Sequence, residues 1–563
     1  MRLRGEGGSA IFHLLGLVEK KRGDLEAASA ALANAHAAAP DDPQINNNYA
    51  NLLADMGQGD AALAHYARAL ALSPHYVDPY YNSALLLQRL GRLEEALDRL
   101  DAALRLSPGD ARIHSARGGV LKAMERFDDA AAAYDKAIAL APRHLNALHG
   151  RARIAMETGE AGAPLFYQRA LMQKPGDPEL VLGLAEALEA EGDPLGLDIL
   201  KEVVAARPDW IEGHEVLARM RMEAGEGDRF ASHYTASLKQ RPQDRQLHLS
   251  FWRVLARAER HAEALRSLRN ARIQLVWDEQ MLAMEAMLLG DAGDPRAALA
   301  LLDRLKGSAV EPNFHILVGR MKLAAGDVDE AALRLGQAVA ADPAAIDGWA
   351  YLDLCWRLLK DGRHHWLSGQ PGLIGTRELD LDAEELSRIA GVIAALHRTR
   401  AHPIGQSLRG GTQTRGRLFW RGEPEIARLG DAIRAAIEDH VAQLPPDDEK
   451  HPLLRHRNAG FDFAGSWSVR LTSQGFHVNH IHPEGILSSA CYIRLPESIG
   501  SASCDGWLEI GSAPDQIRLD LEPLASIEPV PGRLALFPSY LFHGTRPFSA
   551  GERLTVAFDL VPR

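Results

Sequence analysis

Proline sets the frame of this chain. Pro40, Pro74, Pro108 and Pro142 stand 34 residues apart, and Pro175, Pro208 and Pro242 continue at intervals of 33, 33 and 34. Gly23, Gly57 and Gly91 keep the same period, with Glu125 in the place of glycine in the fourth unit. Ala28, Ala62, Ala96 and Ala130 form a third series. Three residue types in one register mean a repeated structural unit, and this period is that of a helical hairpin.

Within one period, Phe12, Leu15 and Gly16 fall at helical spacing and build a first helix. Glycine near position 23 lets a turn form. Ala28, Leu32 and Ala35 then line one face of a second helix, where small residues permit close contact. Proline ends it, because it cannot continue the hydrogen-bond ladder. The second unit repeats the scheme with Tyr49, Ala50, Gly57, Ala62, Tyr66, Ala69 and Pro74. This pattern resembles the tetratricopeptide repeat at its large, small, small and proline positions. From about residue 146 the register loosens, yet GLAEALEAEGDP, EVLARMRMEAGEGD, AMLLGDAGDPRAALALL and GRMKLAAGDVDEAALRL still read as helix, glycine turn, helix. Residues 1–365 are therefore expected to form an all-α superhelix of roughly ten units. Stacked hairpins present an extended concave face, so a protein or peptide is the partner this fold suggests. His364 and His365, beside the last helix, read as surface residues.

Composition narrows the function classes. At 563 residues the chain exceeds one hydrophobic core. Its formal net charge of −12, with no long basic run, argues against a nucleic-acid partner. Cys355, Cys491 and Cys504 are too few and too scattered for a disulfide framework or a thiolate zinc cage, which suits a reducing, cytoplasmic setting. The opening MRLRGEGGSAIFHLLGLVEKK has a short apolar stretch closed by Lys20 and Lys21, and it fits the repeat register. It reads as the first helix, not a signal peptide. No apolar run is long enough to span a membrane.

The texture changes after Trp366. Residues 366–400 read as a connector, SGQPGLIGTRELDLD, followed by a helix, AEELSRIAGVIAALHRT, capped by Asp380 or Asp382. Residues 401–563 begin with QSLRGGTQTRG, read as loop, and a helix, EIARLGDAIRAAIEDHVAQL, that ends at Pro445 and Pro446. Short alternating or β-branched runs follow: GSWSVRLT, ILSSACYIRLP, WLEIG, IRLDLEP, GRLALFPSYLFHG and RLTVAFDLVP. The expected fold is multidomain, an all-α superhelix followed by an α+β domain with a jelly-roll, or double-stranded β-helix, core.

Three segments carry chemistry. In FHVNHIHPEG, His480 and His482 are two apart, so on an extended strand one cation could take both imidazoles. Alone this is weak, since 23 histidines produce about one such pair by chance. In GRLALFPSYLFHGTRP a strand leads to His543. In GERLTVAFDL, Arg553 lies ten residues beyond that histidine, and Thr555 shares its strand face. A guanidinium beside a hydroxyl suits a carboxylate, because its fork makes two parallel charge-assisted bonds.

A histidine pair, a strand with SSACYI, a later FPSxxxH and then Arg-x-Thr together resemble the iron(II)/2-oxoglutarate-dependent oxygenases. The likeness is strongest to a bacterial and phage subfamily related to the prolyl hydroxylases. The stretch from QSLRGGTQT through HPLL (451–454) and GSWSVRL shares the look of that group, and the resemblance spans roughly residues 378–563. It implies His480 and His543 as iron ligands, with Arg553 and Thr555 anchoring the distal carboxylate of 2-oxoglutarate and Tyr492 lining the pocket. The family has aspartate or glutamate where this chain has His482. Three arrangements stay open: His482 ligates in a three-histidine site, Glu484 supplies the third ligand, or two histidines act with water. The first is preferred because imidazole suits iron(II). Zinc is a further alternative, since three histidines with an open position also serve that metal.

His477 and Asn479 fall on the opposite strand face from the pair, and Trp467, Trp507 and Phe537 read as core aromatics. The resemblance implies hydroxylation of a protein or peptide delivered by the solenoid, coupled to conversion of 2-oxoglutarate to succinate, with ascorbate as a candidate auxiliary. The competing reading is a non-catalytic adaptor whose C-terminal domain kept the fold without redox activity.

Overall fold

The computed structural model describes residues 6–305, 311–499, 504–517 and 519–563. Among them, helices pair antiparallel from Glu6–Arg22 with Leu25–Ala38 to Ile346–Leu358 with Arg363–Leu367, the last partner being a single turn. They are divided between two compact units, Met1–Ala187 and Leu188–Arg563. No described helix is long and apolar enough to cross a membrane.

In the first unit the periodic residues do what their chemistry allows. Ala28, Ala62, Ala96 and Ala130 are fully buried where two helices touch. A Cβ on Gly16 would come within 2.5 Å of Leu32 Cγ, so the large residue of one helix occupies the gap left by the small residue of the other. Gly23 turns the chain at φ +86°. Glu125 takes the same left-handed turn at φ +58°, a position that costs a side chain about 1–2 kcal/mol.

The repeat prolines also offer carbonyls that the following helix captures. Asn46 Nδ2 donates to Pro40 O at 2.9 Å, and His114 meets Pro108 O at 2.9 Å. In the second unit His214 and His248 do the same with Pro208 O and Pro242 O at 3.2 and 3.0 Å. Three of the chain's histidines thus close repeat turns and have no part in metal chemistry.

The second unit continues the repeats into a β domain. Its strands are β1 (Gly375–Glu378), β2 (Leu408–Gln413), β3 (Phe461–His477), β4 (Leu487–Arg494), β5 (Leu508–Ile510), β6 (Ala525–Ile527), β7 (Arg533–Pro538), β8 (His543–Thr545) and β9 (Arg553–Pro562). They form two antiparallel sheets, ordered β1-β7-β4-β9-β3-β2 and β6-β5-β8. This is the jelly-roll arrangement, with Ala383–Ala395 and Pro424–Ala442 as supporting helices. The first of these is capped by Asp382, which exchanges a capping box with Glu385.

Two segments expected to be loop are strands. GTRE pairs with β7, and LRGGTQ pairs with β3 around a bulge at Gly410. Both are short edge strands rich in Gly and Arg, so they lack the apolar alternation that marks a central strand.

One hydrophobic core crosses the change of texture near residue 366. Ile316, Leu335, Trp349 and Trp356 of the last repeats belong to the same buried cluster as Ile389, Ile433, Leu487, Leu536 and Leu560. Polar ties run alongside it. Arg357 bonds the carbonyls of Gly511 and Glu522, and Tyr540 Oη donates to Leu367 O at 2.5 Å. The chain before, within and just after β2 is stapled to three successive repeats. Arg400 N donates to Glu223 O at 2.8 Å, Arg415 pairs with Glu189 and Glu223, and Arg409 pairs with Glu259.

Candidate functional site

Strand β9 explains the site's layout. Its side chains alternate, so Arg553, Thr555, Ala557 and Asp559 share one face, and all four line a cavity of about 610 Å³. Trp467 and Val469 of β3, Ser489 and Ala490 of β4, Leu508 of β5 and His543 of β8 complete its walls. Arg257 and Glu259, at the end of a repeat helix, stand at the same opening as Gln406, Ser407 and Arg409.

His480 and His482 lie just beyond the end of β3 on irregular chain, not on the regular strand expected for them. Position comes from a two-bond exchange with β8: His480 N donates to His543 O at 3.0 Å, and His543 N to His480 O at 2.9 Å. The potential ligand atoms of His480, His482 and His543 all lie within 4.8 Å of one another. Glu484, also a candidate ligand, is exposed on the cavity rim and is not part of this cluster.

Each ring is held by its Nδ1. His480 Nδ1 donates to Val478 O at 2.9 Å, His543 Nδ1 to Leu541 O at 3.1 Å, and His482 Nδ1 to Asp559 Oδ2 at 2.6 Å. A carbonyl or carboxylate can only accept, so each Nδ1 carries a hydrogen and a neutral ring keeps its lone pair on Nε2, that of His480 within 3.1 Å of Ser407 Oγ. The Nε2 atoms of His480 and His482 are 3.0 Å apart. That is the separation of two nitrogens about 2.1 Å from a common cation. Burial lowers the pKa of His480 to about 3, with His482 adding to the effect, and lowers His543 well below the usual range. Both are therefore neutral near pH 7, as ligands must be. The donor set suits a divalent transition metal.

Arg553 supplies the other half of the site. It is 2 % exposed, and its Nη1 donates to Gly506 O at 2.7 Å. Its Nε has no partner, and no described carboxylate forms an ion pair with it. The guanidinium lies 5.1 Å over the Tyr492 ring, whose buried hydroxyl is likewise unpartnered. Burial lowers the Arg553 pKa, opposed by Tyr492. A buried cation without a counter-charge is costly unless a ligand brings one, so the residues present fit a carboxylate. Thr555 is buried beside it, paired across the sheet with Tyr492 and with Val469.

Several residues stand elsewhere than their sequence pattern suggests. Trp467 packs partly buried against the cluster of Leu408, Val469, Leu471 and Phe548, and it also lines the cavity and stacks on His482, with ring centroids 5.6 Å apart and planes 7° from parallel. Trp507 is half-buried with an unpartnered indole nitrogen, whereas Phe537 is fully buried and packs 4.6 Å from His543. His477 and Asn479 face the same cavity as the pair, because strand alternation stops at His477. Ser407 Oγ links His477 Nδ1 at 2.9 Å to His480 Nε2 at 3.1 Å. Asp559 and Ser407 are site residues that sequence reasoning missed. Extending the Arg553–Thr555 alternation two more steps reaches Asp559, whereas no local signal marks Ser407.

Comparison with known proteins gives the same two parts. Family models described as "Tetratricopeptide repeat" match residues 13–77, 53–118, 120–178 and 283–346. One described as "Putative 2OG-Fe(II) oxygenase" matches residues 465–559, a span that includes all three histidines and the Arg553 strand. No curated protein matches the chain. Among solved structures, PilW, titled a widely conserved type IV pilus biogenesis factor, is 21% identical, with 37% of this chain and 98% of that one covered at a TM-score of 0.35. A thermophilic TPR protein of Thermus thermophilus, TTC0263, is 27% identical, covering 32% of this chain and 99% of that one at a TM-score of 0.29. YrrB, titled a TPR protein with an unusual peptide-binding site, is 21% identical, with coverages of 32% and 95% and a TM-score of 0.28.

Proposed function

We propose that this chain, which joins tetratricopeptide repeats to a domain matching the 2OG-Fe(II) oxygenases, is an iron(II)- and 2-oxoglutarate-dependent dioxygenase that hydroxylates a protein or peptide. The observation that carries the reading is one cavity holding both three convergent Nε2 lone pairs and a buried, uncompensated guanidinium. His480, His482 and His543 would hold the metal, and Arg553 with Thr555 would hold the distal carboxylate of the co-substrate beside Tyr492. The bound metal would supply activation of dioxygen, the oxidant, which takes two electrons from 2-oxoglutarate, leaving succinate and carbon dioxide, and two from the substrate C–H bond that becomes C–OH.

The protein's own contribution is orientation and exclusion of water. The Nδ1 bonds fix all three rings in one tautomer, so little reorganisation accompanies metal entry. Trp467 and Phe537 wall the histidines, limiting solvent at the reacting atoms. Arg257 and Glu259 place a repeat helix at the opening, which supports a polypeptide substrate presented by the solenoid. In this division of labour residues 1–365 recruit substrate, 366–400 connect, and 401–563 catalyse. A docking site joined to a catalytic one raises the local substrate concentration. Buried free thiols at Cys355 and Cys491 suit a reducing compartment, and we place the protein in the cytoplasm.

The adaptor alternative is disfavoured by Arg553, whose burial without a counter-charge serves no purpose in a scaffold. The test is succinate formation from 2-oxoglutarate, followed by NMR with iron(II), ascorbate and oxygen. The wild type should release succinate, and faster with its substrate. Arg553→Ala should lose this turnover at sub-millimolar 2-oxoglutarate. Equal, background-level succinate from both proteins would favour the adaptor.

A further inference from the structure

The three histidines are not oriented alike. His480 and His543 each donate Nδ1–H to a neutral main-chain carbonyl two residues earlier, Val478 O and Leu541 O. His482 alone donates to a carboxylate, Asp559 Oδ2, at 2.6 Å. Asp559 is itself held in place: Ser488 Oγ donates to its Oδ1 at 2.8 Å, and Ser488 Oγ lies 2.8 Å from Ser539 Oγ. Asp559 as a whole is 8 % exposed. On the other side Trp467 stacks on the His482 ring. The residue that stands where an aspartate or glutamate was expected is thus the one histidine with a buried carboxylate behind it.

Resting on the oxygenase reading, we propose that Asp559 is a positioning residue that, through His482, gives a three-histidine centre the negative charge a directly bound carboxylate would otherwise bring. Three neutral imidazoles leave a divalent cation its full double charge in a mostly buried cavity. One carboxylate a single hydrogen bond away reduces the local sum by one unit, as in a centre of two histidines and one carboxylate. A ring donating to a carboxylate is also a stronger electron donor than one donating to a carbonyl, and such partners typically matter about 10–100-fold in metal affinity. Low local polarity strengthens both effects.

The test uses the full chain and cobalt(II) alone, read by its visible ligand-field band and by calorimetric affinity. Asp559→Asn keeps size and an acceptor oxygen while removing the charge. It should weaken cobalt binding about 10–100-fold and shift the band. Ser488→Ala, which loosens the carboxylate without deleting it, should weaken binding in the same direction by less, and it covers the case in which Asp559→Asn fails to fold. The deciding comparison places both changes in a His482→Asp background, where the carboxylate binds directly. There Asp559→Asn should leave affinity within about twofold or tighten it, because the two sites are coupled. Equal losses in both backgrounds would overturn the role of Asp559 while leaving the metal site standing. A wild-type chain with no cobalt band, or a band unaffected by His543→Ala, would overturn the oxygenase reading as well.

Discussion

The Nε2 atoms of His480 and His482 face each other at 3.0 Å, while both rings donate from Nδ1. Two lone pairs at this distance repel unless a cation or a proton sits between them. Metal binding should therefore stabilise the fold. At a free metal concentration of a hundred times Kd the gain is about 2.7 kcal/mol. Thermal unfolding with and without cobalt(II) measures it, and His543→Ala should show no gain.

Arg553 should govern co-substrate affinity and not metal affinity. Its removal deletes a charge-assisted fork, at a cost of about 2 kcal/mol or more, so 2-oxoglutarate should bind at least tenfold more weakly while cobalt(II) affinity is unchanged. Arg553→Lys should rescue poorly, since an ammonium cannot reproduce the two parallel bonds. Titration of 2-oxoglutarate into the metal-loaded variants distinguishes these outcomes.

Stability should fall on acidification through two histidines away from the cavity. His397 is lowered to about 4 by burial, with Arg470 adding to it, and His440 to about 4 by burial and then Arg377, against Asp439. Unfolded, each takes up a proton near pH 6.5. From there down to about 4 the unfolded chain binds protons that the native chain refuses. Unfolding free energy should drop by up to about 1.4 kcal/mol per pH unit for each histidine. Both ring nitrogens of His440 lack partners, so His440→Leu should shallow this slope without loss at pH 7. Denaturant titrations at pH 7 and 5 measure the slope.

A chain starting at residue 366 should not fold, because it would expose the core that Ile316, Leu335, Trp349 and Trp356 share with the sheet. One spanning residues 177–563 keeps the whole of the second compact unit and the helix that enters it, and should unfold cooperatively. Solubility and the heat-capacity trace of the two chains decide.

Most of the helical half was legible because its chemistry repeats: Ala28, Gly57 and Pro74 mean the same thing every 34 residues. Central strands were legible where apolar alternation is strong, as in RLTVAFDLVP. The edge strands at Gly375–Glu378 and Leu408–Gln413 were not, since half their surroundings are solvent or irregular chain and their residues are glycine and arginine. His480, His482, His543 and Arg553 could be singled out by motif spacing, and the structure gathers them in one cavity. Asp559 and Trp467 join the site by contact with the His482 ring, and the side chain of Ser407 reaches the histidines from 70 residues away or more. Such relations exist only after folding. The shared core across residue 366 was invisible for the same reason: a change of periodicity marks a change of secondary structure, not of packing.

The most direct measurement is an anaerobic titration of iron(II) into the purified full chain, with and without 2-oxoglutarate, followed in the visible region. Chelation of 2-oxoglutarate at a three-histidine iron centre predicts a weak charge-transfer band that needs both components and disappears in His543→Ala and Arg553→Ala. Iron binding without that band, or no binding at all, would contradict it and leave the solenoid as the working part of the chain.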